Sequence, residues 1–464
     1  MNGTSKSLRR VLALALSAGS ALCLGSPAMS LNIVLHTDSS FDTSTNGAAA
    51  LYAFQKAANY WNQTLTNNVT LNFDVSFSST GFSSPNIIGQ TGSNSLTESA
   101  SAVYAGLSQG SRTALDSVAV ANLRPLSAAG GVGYRMPSAV DPTSPSNAQR
   151  GLNTTAGSVY DNDDTFNNRY MVTNTANARV LGLTVDPLSS AFGTDRDAEI
   201  TFNSAFAFDF DPTDGIAVGT QDFTSVAIHE MGHALGFVSG ADVYDYYATP
   251  NGPGRAGPFG ATFDWDNGSF VDFGDGPVFI TPEVLTVLDL FRYSTNGGAS
   301  GFDPLTGKRY LQLDPNREAG FSLDASTFYN GNGIFSNFAT GQFNGDGSQA
   351  SHWKDAPGSF DINNCFTAER VQAGIMDPTS GSCQQGIVTA NDLAAMDAIG
   401  YNVGLDLYNN RSYNFDTKQV FALAGLASVA GVPEPATWAQ MLLGFGLIGG
   451  FLRQRGKAKV AFAS

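Results

Sequence analysis

An α+β fold is what this sequence predicts, on three observations. The chain alternates strand and helix patterns after residue 30, it then carries a long stretch of Asp-, Gly- and Ser-rich turns, and a capped helix follows near residue 390. The 464 residues are 42% apolar and only 14% charged, which supplies a sizeable core and is the wrong composition for a disordered chain. The net charge of −16 would repel phosphate backbones, so nucleic acid is not expected as a partner.

Residues 1–30 carry a basic stretch (Lys6, Arg9, Arg10), an apolar run from Val11 to Leu24 and small residues at Ala28 and Ser30. That order is a secretory signal peptide cleaved before Leu31. Cys23 belongs to its apolar run, because Leu22 stands where a lipid-attachment site needs a small residue.

Leu31 to His36 reads as a strand, and Leu51, Phe54, Ala58, Trp61 and Leu65 recur at helical spacing over 48–65. Val69, Leu71, Phe73, Val75 and Phe77 alternate with polar residues, the pattern of a half-buried strand. Residues 81–177 are polar and show little periodicity beyond a strand expected at 117–123. A further strand is expected at 197–203, and 209–219 reads as a turn that leads into a helix.

That helix contains His229-Glu230-Met231-Gly232-His233. Spacing of i, i+4 puts the two imidazoles on one face, one turn apart, where both can bind one zinc ion. Glu230 follows the first ligand directly, so its carboxylate projects beside the metal and can act as general base. Asp222 or Thr224 can cap the helix start, and Gly236 lets the chain leave it. Of the four histidines, His36 lies on the first strand and reads as structural.

A catalytic zinc takes three protein ligands and keeps a fourth position for water. In the compact extended motif the third histidine falls three residues after the glycine, which here is Ser239. Asp242, Asp245 and the distant His352 are the chemically possible replacements. His352 precedes Gly374-Ile375-Met376-Asp377-Pro378.

Two motifs in this order resemble the leishmanolysin branch of the metzincin metalloproteases, over 224–237 and 351–403. The resemblance implies His229, His233 and His352 as ligands, Glu230 as base and Met376 in the methionine turn. It also implies an upper mixed sheet with the active-site helix and a lower, mostly irregular and helical half. On it the domain runs over 31–404 with an insertion at about 239–350, and 198–203 is the sheet edge that holds an extended peptide. Thr389-Ala390-Asn391-Asp392 is a capping box, and the helix after it fits the lower half.

Only Cys365 and Cys383 remain after signal cleavage, and an oxidising compartment implies a bridge between them. Asp161, Asp163, Asp164, Asp209, Asp211, Asp214, Asp264, Asp266, Asp272, Asp275 and Asp346 could offer oxygen to Ca2+, although none has the twelve-residue loop spacing. Residues 405–431 read as a linker. Pro433-Glu434-Pro435, a short apolar run from Trp438 to Leu452 and the basic Arg453 to Lys457 then resemble a PEP-CTERM sorting signal. That resemblance implies a transient membrane segment, cleavage by an exosortase, and release from a Gram-negative inner membrane to the surface or extracellular matrix. The whole reading is a secreted zinc endopeptidase acting on proteins or peptides. A non-catalytic cell-surface or biofilm-matrix protein with a structural metal site is the alternative left open.

Overall fold

The computed structural model describes residues 31–423, apart from 138–157, 186–194, 250, 258, 260–262, 273, 275, 298–300 and 356–371. The signal peptide, Cys365 and the sorting signal therefore lie outside the described residues. The fold is mixed α+β. Strands β1 (Asn32–Thr37), β2 (Thr70–Ser78), β3 (Gly89–Ser93) and β4 (Ala198–Asn203) form a four-stranded sheet in the order β1-β2-β4-β3. β1, β2 and β4 run parallel, and β3 is antiparallel to β4 with Gly89 opposite Phe202 and Thr91 opposite Ile200.

Helices α1 (Gly47–Thr64) and α2 (Phe223–Ala234) bury the alternating face of this sheet. Trp61 of α1 is fully buried and donates its indole N–H to the Ile228 carbonyl of α2 at 3.3 Å. Phe54, Phe202 and Phe223 pack ring on ring, with centroids 5.1 Å apart for the first pair and 4.7 Å for Phe202 and Phe223. Apolar area removed from water at this junction fixes α2 against the sheet.

The segment after α2 is not a detached unit. Its strands β5 (Arg292–Ser294), β6 (Ala319–Phe321) and β7 (Asn337–Phe338) make a small antiparallel sheet whose buried residues join the same core as α1 and α2. The chain then returns through β8 (Ile387–Thr389) into helix α3 (Ala390–Ala398), where Thr389 caps the start as the sequence predicts.

Four expectations are corrected. The strand at 198–203 is present but internal, and the edge on its side of the sheet is β3, opposite the other edge β1; β3 is a Gly- and Ser-containing strand with no apolar alternation to betray it. Residues 117–123 are not a strand. Val118 and Val120 suggest one, yet Thr113 and Asp116 form a complete capping box and start the helix Ala114–Ala121. The sequence also suggests a helix from Pro282 to Phe291, yet only Leu288–Phe291 makes a short 3-10 turn, because the Asp289 carboxylate takes the N–H groups of Thr286 and Gly240. The described part of the expected linker, up to residue 423, is ordered as β9 (Asn414–Asp416), paired with β8, and the helix Thr417–Ala422.

That last helix carries weight in the fold. The Thr417 hydroxyl donates to Asp222, whose other oxygen caps α2 through the Ser225 N–H at 3.1 Å, and Lys56 donates to the Phe421 carbonyl at 2.8 Å. Burial pushes the Asp222 carboxyl up to about 6. Thr417→Val removes one donor from this buried carboxylate, and denaturant unfolding is expected to show a loss of about 1–3 kcal/mol. A mere linker would give no change.

Candidate metal centre

Helix α2 starts at the Asp222 cap and ends where Gly236 turns away at φ 115°, a left-handed conformation open to glycine. Between these stops the helix presents His229 and His233 with their Nε2 atoms 3.1 Å apart. His352 reaches them from the far side of the chain. Its Nε2 lies 3.2 Å from each of the other two. Among the described residues this is the one group of three His, Cys, Asp or Glu side chains whose ligand atoms converge.

The hydrogen bonds on the other ring nitrogens decide what these atoms can do. His229 Nδ1 faces the Ile375 carbonyl at 2.8 Å, His233 Nδ1 the Phe237 carbonyl at 2.8 Å, and His352 Nδ1 the Gln349 carbonyl at 3.2 Å. A carbonyl only accepts, so each Nδ1 carries the proton and each Nε2 is left with its lone pair. Burial holds the imidazoles neutral, with His233 pushed down to about 3 and His352 well below its usual range. Three lone pairs at such distances repel one another unless a cation lies among them. The separations suit nitrogens that share one ion at the Zn–N distance of about 2.0–2.1 Å. His229, His233 and His352 can therefore hold a metal.

Met376 is fully buried and packs against the helix between the two ligands. A Cβ placed on Gly232 would stand 2.4 Å from its sulfur, so only glycine lets the turn come this close. Asp392 holds that turn. Its carboxylate accepts from Ile375 N at 2.9 Å and Met376 N at 3.2 Å, and also from the Trp353 indole at 2.8 Å, next to His352.

The other two ligand candidates are occupied elsewhere. Asp242 accepts from Ala350 N at 2.6 Å, Ser351 N at 3.0 Å and the Ser351 hydroxyl, so it grips the segment that presents His352. Asp245 accepts from Phe343 N and Asn344 N. Ser239, at the compact motif's ligand position, donates to Asp289 at 2.6 Å. His36 bonds Asn72 between β1 and β2. Several aspartates named for calcium serve local turns instead: Asp209 accepts from Asp211 N, Asp211 from Thr213 N, Asp272 from Gly274 N and Asp346 from Thr340 N. Cys383 is disulfide-bonded.

Glu230 is 6% exposed, and burial pushes its carboxyl up to about 7. Its Oε2 accepts from the Thr91 hydroxyl of β3 at 2.7 Å. Thr91 escaped the sequence reading because its surroundings show no period. The three histidines and Glu230 open onto a cleft of about 1180 Å³ bounded by Gly89, Gln90 and Thr91 on one side and by residues between 377 and 386 on the other. Comparison with family models, curated proteins and solved structures returned no match.

The contest over the third ligand can be measured as metal per chain. His352→Ala is expected to purify with a small fraction of the wild-type metal, since two helix ligands hold an ion poorly. Asp242→Asn keeps all three nitrogens and should bind one ion with about 10- to 100-fold weaker affinity, as for loss of an outer partner. Full metal in His352→Ala would remove that residue from the centre.

Proposed function

We propose that this protein is a zinc-dependent endopeptidase of metzincin type. The observation that carries the reading is a set of three neutral imidazoles, with no fourth ligand among the described residues, beside a buried carboxylate on a large open cleft. Imidazole donors without thiolate suit zinc, and three protein ligands are the number of a catalytic site. A non-catalytic structural site would be closed by a fourth protein ligand.

A zinc ion in this triad supplies Lewis acidity toward a peptide carbonyl and makes a water molecule acidic near neutral pH. Glu230, one residue after His229, takes a proton from the attacking water and passes it to the amine that leaves. Burial raises the proton affinity of this carboxylate, the direction that suits a group which must take a proton from water. An extended peptide adds to the edge strand β3, which borders the cleft, through main-chain hydrogen bonds. The support of Met376 beneath Gly232 agrees with the methionine turn of that class.

Glu230→Gln is expected to retain metal and fold while casein hydrolysis drops at least about a hundredfold. Unchanged hydrolysis would take Glu230 out of the reaction. The two ends of the chain are addresses in this reading: export by the leader, then cleavage near Pro433-Glu434-Pro435 by an exosortase-type enzyme. Mass spectrometry of protein released by its host should find nothing beyond about residue 432, and an intact tail through Lys457 would refute the sorting signal.

A further inference from the structure

The edge strand β3 does more than border the cleft. Strand geometry sends Gly89, Thr91 and Ser93 to one face, and that face lies on α2. The Thr91 hydroxyl donates to Glu230 Oε2 at 2.7 Å, with the Glu230 carbonyl oxygen at 3.0 Å as a second acceptor in reach. A Cβ placed on Gly89 would stand 2.9 Å from Glu230 Oε1 and 3.1 Å from its Cγ. Ser93 donates to the His233 carbonyl at 3.4 Å. Two residues of one strand face thus address the two oxygens of one carboxylate: Thr91 binds one, and Gly89 leaves room for the other.

We infer that Thr91 is a positioning residue for Glu230, and that Gly89 completes the cradle by having no side chain. The inference rests on the peptidase reading above. A glutamate side chain has three rotatable bonds, and a base that swings among rotamers spends little time in the reacting geometry. Anchoring Oε2 leaves Oε1 alone to serve the water. The anchor is itself rigid, since Thr91 pairs with Ile200 of the internal strand β4, whose side chain is fully buried. It also links the two halves of the reaction physically. The strand on which a peptide would be laid is the strand that holds the base, so substrate backbone and carboxylate share one reference frame.

The test compares Thr91→Val, which keeps the shape and the β-branched side chain, with Thr91→Ser, which keeps the hydroxyl. Both are made in the full chain with its metal. Thr91→Val should keep metal content and the native fold, hold KM within about twofold, and lose about 10- to 100-fold in kcat on a casein peptide. Thr91→Ser should recover most of that loss. Crystal structures should show the Glu230 carboxylate turned from its place in Thr91→Val and retained in Thr91→Ser. A wild-type kcat in Thr91→Val, a Thr91→Ser variant as slow as Thr91→Val, or an unmoved carboxylate in Thr91→Val would each overturn the role. If the wild-type chain cleaves no peptide, the peptidase reading fails, and the position of Glu230 in the two variants judges the anchor by itself.

Discussion

The carboxylate of Asp392 is the interaction on which one side of the candidate metal centre depends. It is fully buried, and burial pushes it up to about 6. An ionised group in such a place is tolerated only with its lone pairs satisfied. Asp392 meets that demand by drawing in donors from three separate stretches: Thr389 at the start of its own helix, Ile375 and Met376 in the turn, and Trp353 beside the third histidine. The same bonds that satisfy the charge therefore fix the Ile375 carbonyl, which orients His229, and the Trp353 ring, which holds the backbone next to His352. Local capping chemistry is reused to assemble a site.

The triad is built from two sides with different mechanics. His229 and His233 need only one well-stopped helix. His352 arrives after a long excursion of the chain, and it is held by charged groups that the excursion itself supplies. Asp242 takes the N–H groups of Ala350 and Ser351, while the buried Arg292 donates to the carbonyls of Ala350, Ala339 and Gln312. Closing so long a loop costs little more than closing a short one, because the entropy grows only with the logarithm of length. A few strong, buried hydrogen bonds at its end are then sufficient to aim one imidazole.

Small residues perform a similar service on the two sides of the helix. Gly232 admits the Met376 sulfur below, and Gly89 admits the Glu230 carboxylate above. Each glycine sits where two elements approach more closely than a methyl group would allow. These positions are constraints between elements, and nothing in the neighbouring sequence marks them.

The features that the sequence determined by itself all have local causes. The strand, helix and strand from Asn32 to Ser78, the helix with His229, Glu230 and His233, its stop at Gly236 and the Thr389 capping box all follow from periodicity, caps and backbone freedom within a few residues. Tertiary structure decided the rest. It made β3 a sheet edge, turned the expected linker into a strand and helix that pin Asp222, brought His352 rather than Asp242 to the two helix imidazoles, and set Thr91 against Glu230. Each of these pairs residues more than a hundred positions apart in the chain, apart from the sheet edge, which three strands settle together. The physical reason is that a side chain's partner across such a distance is chosen by the packing of the whole core, and no pattern confined to one segment records that choice.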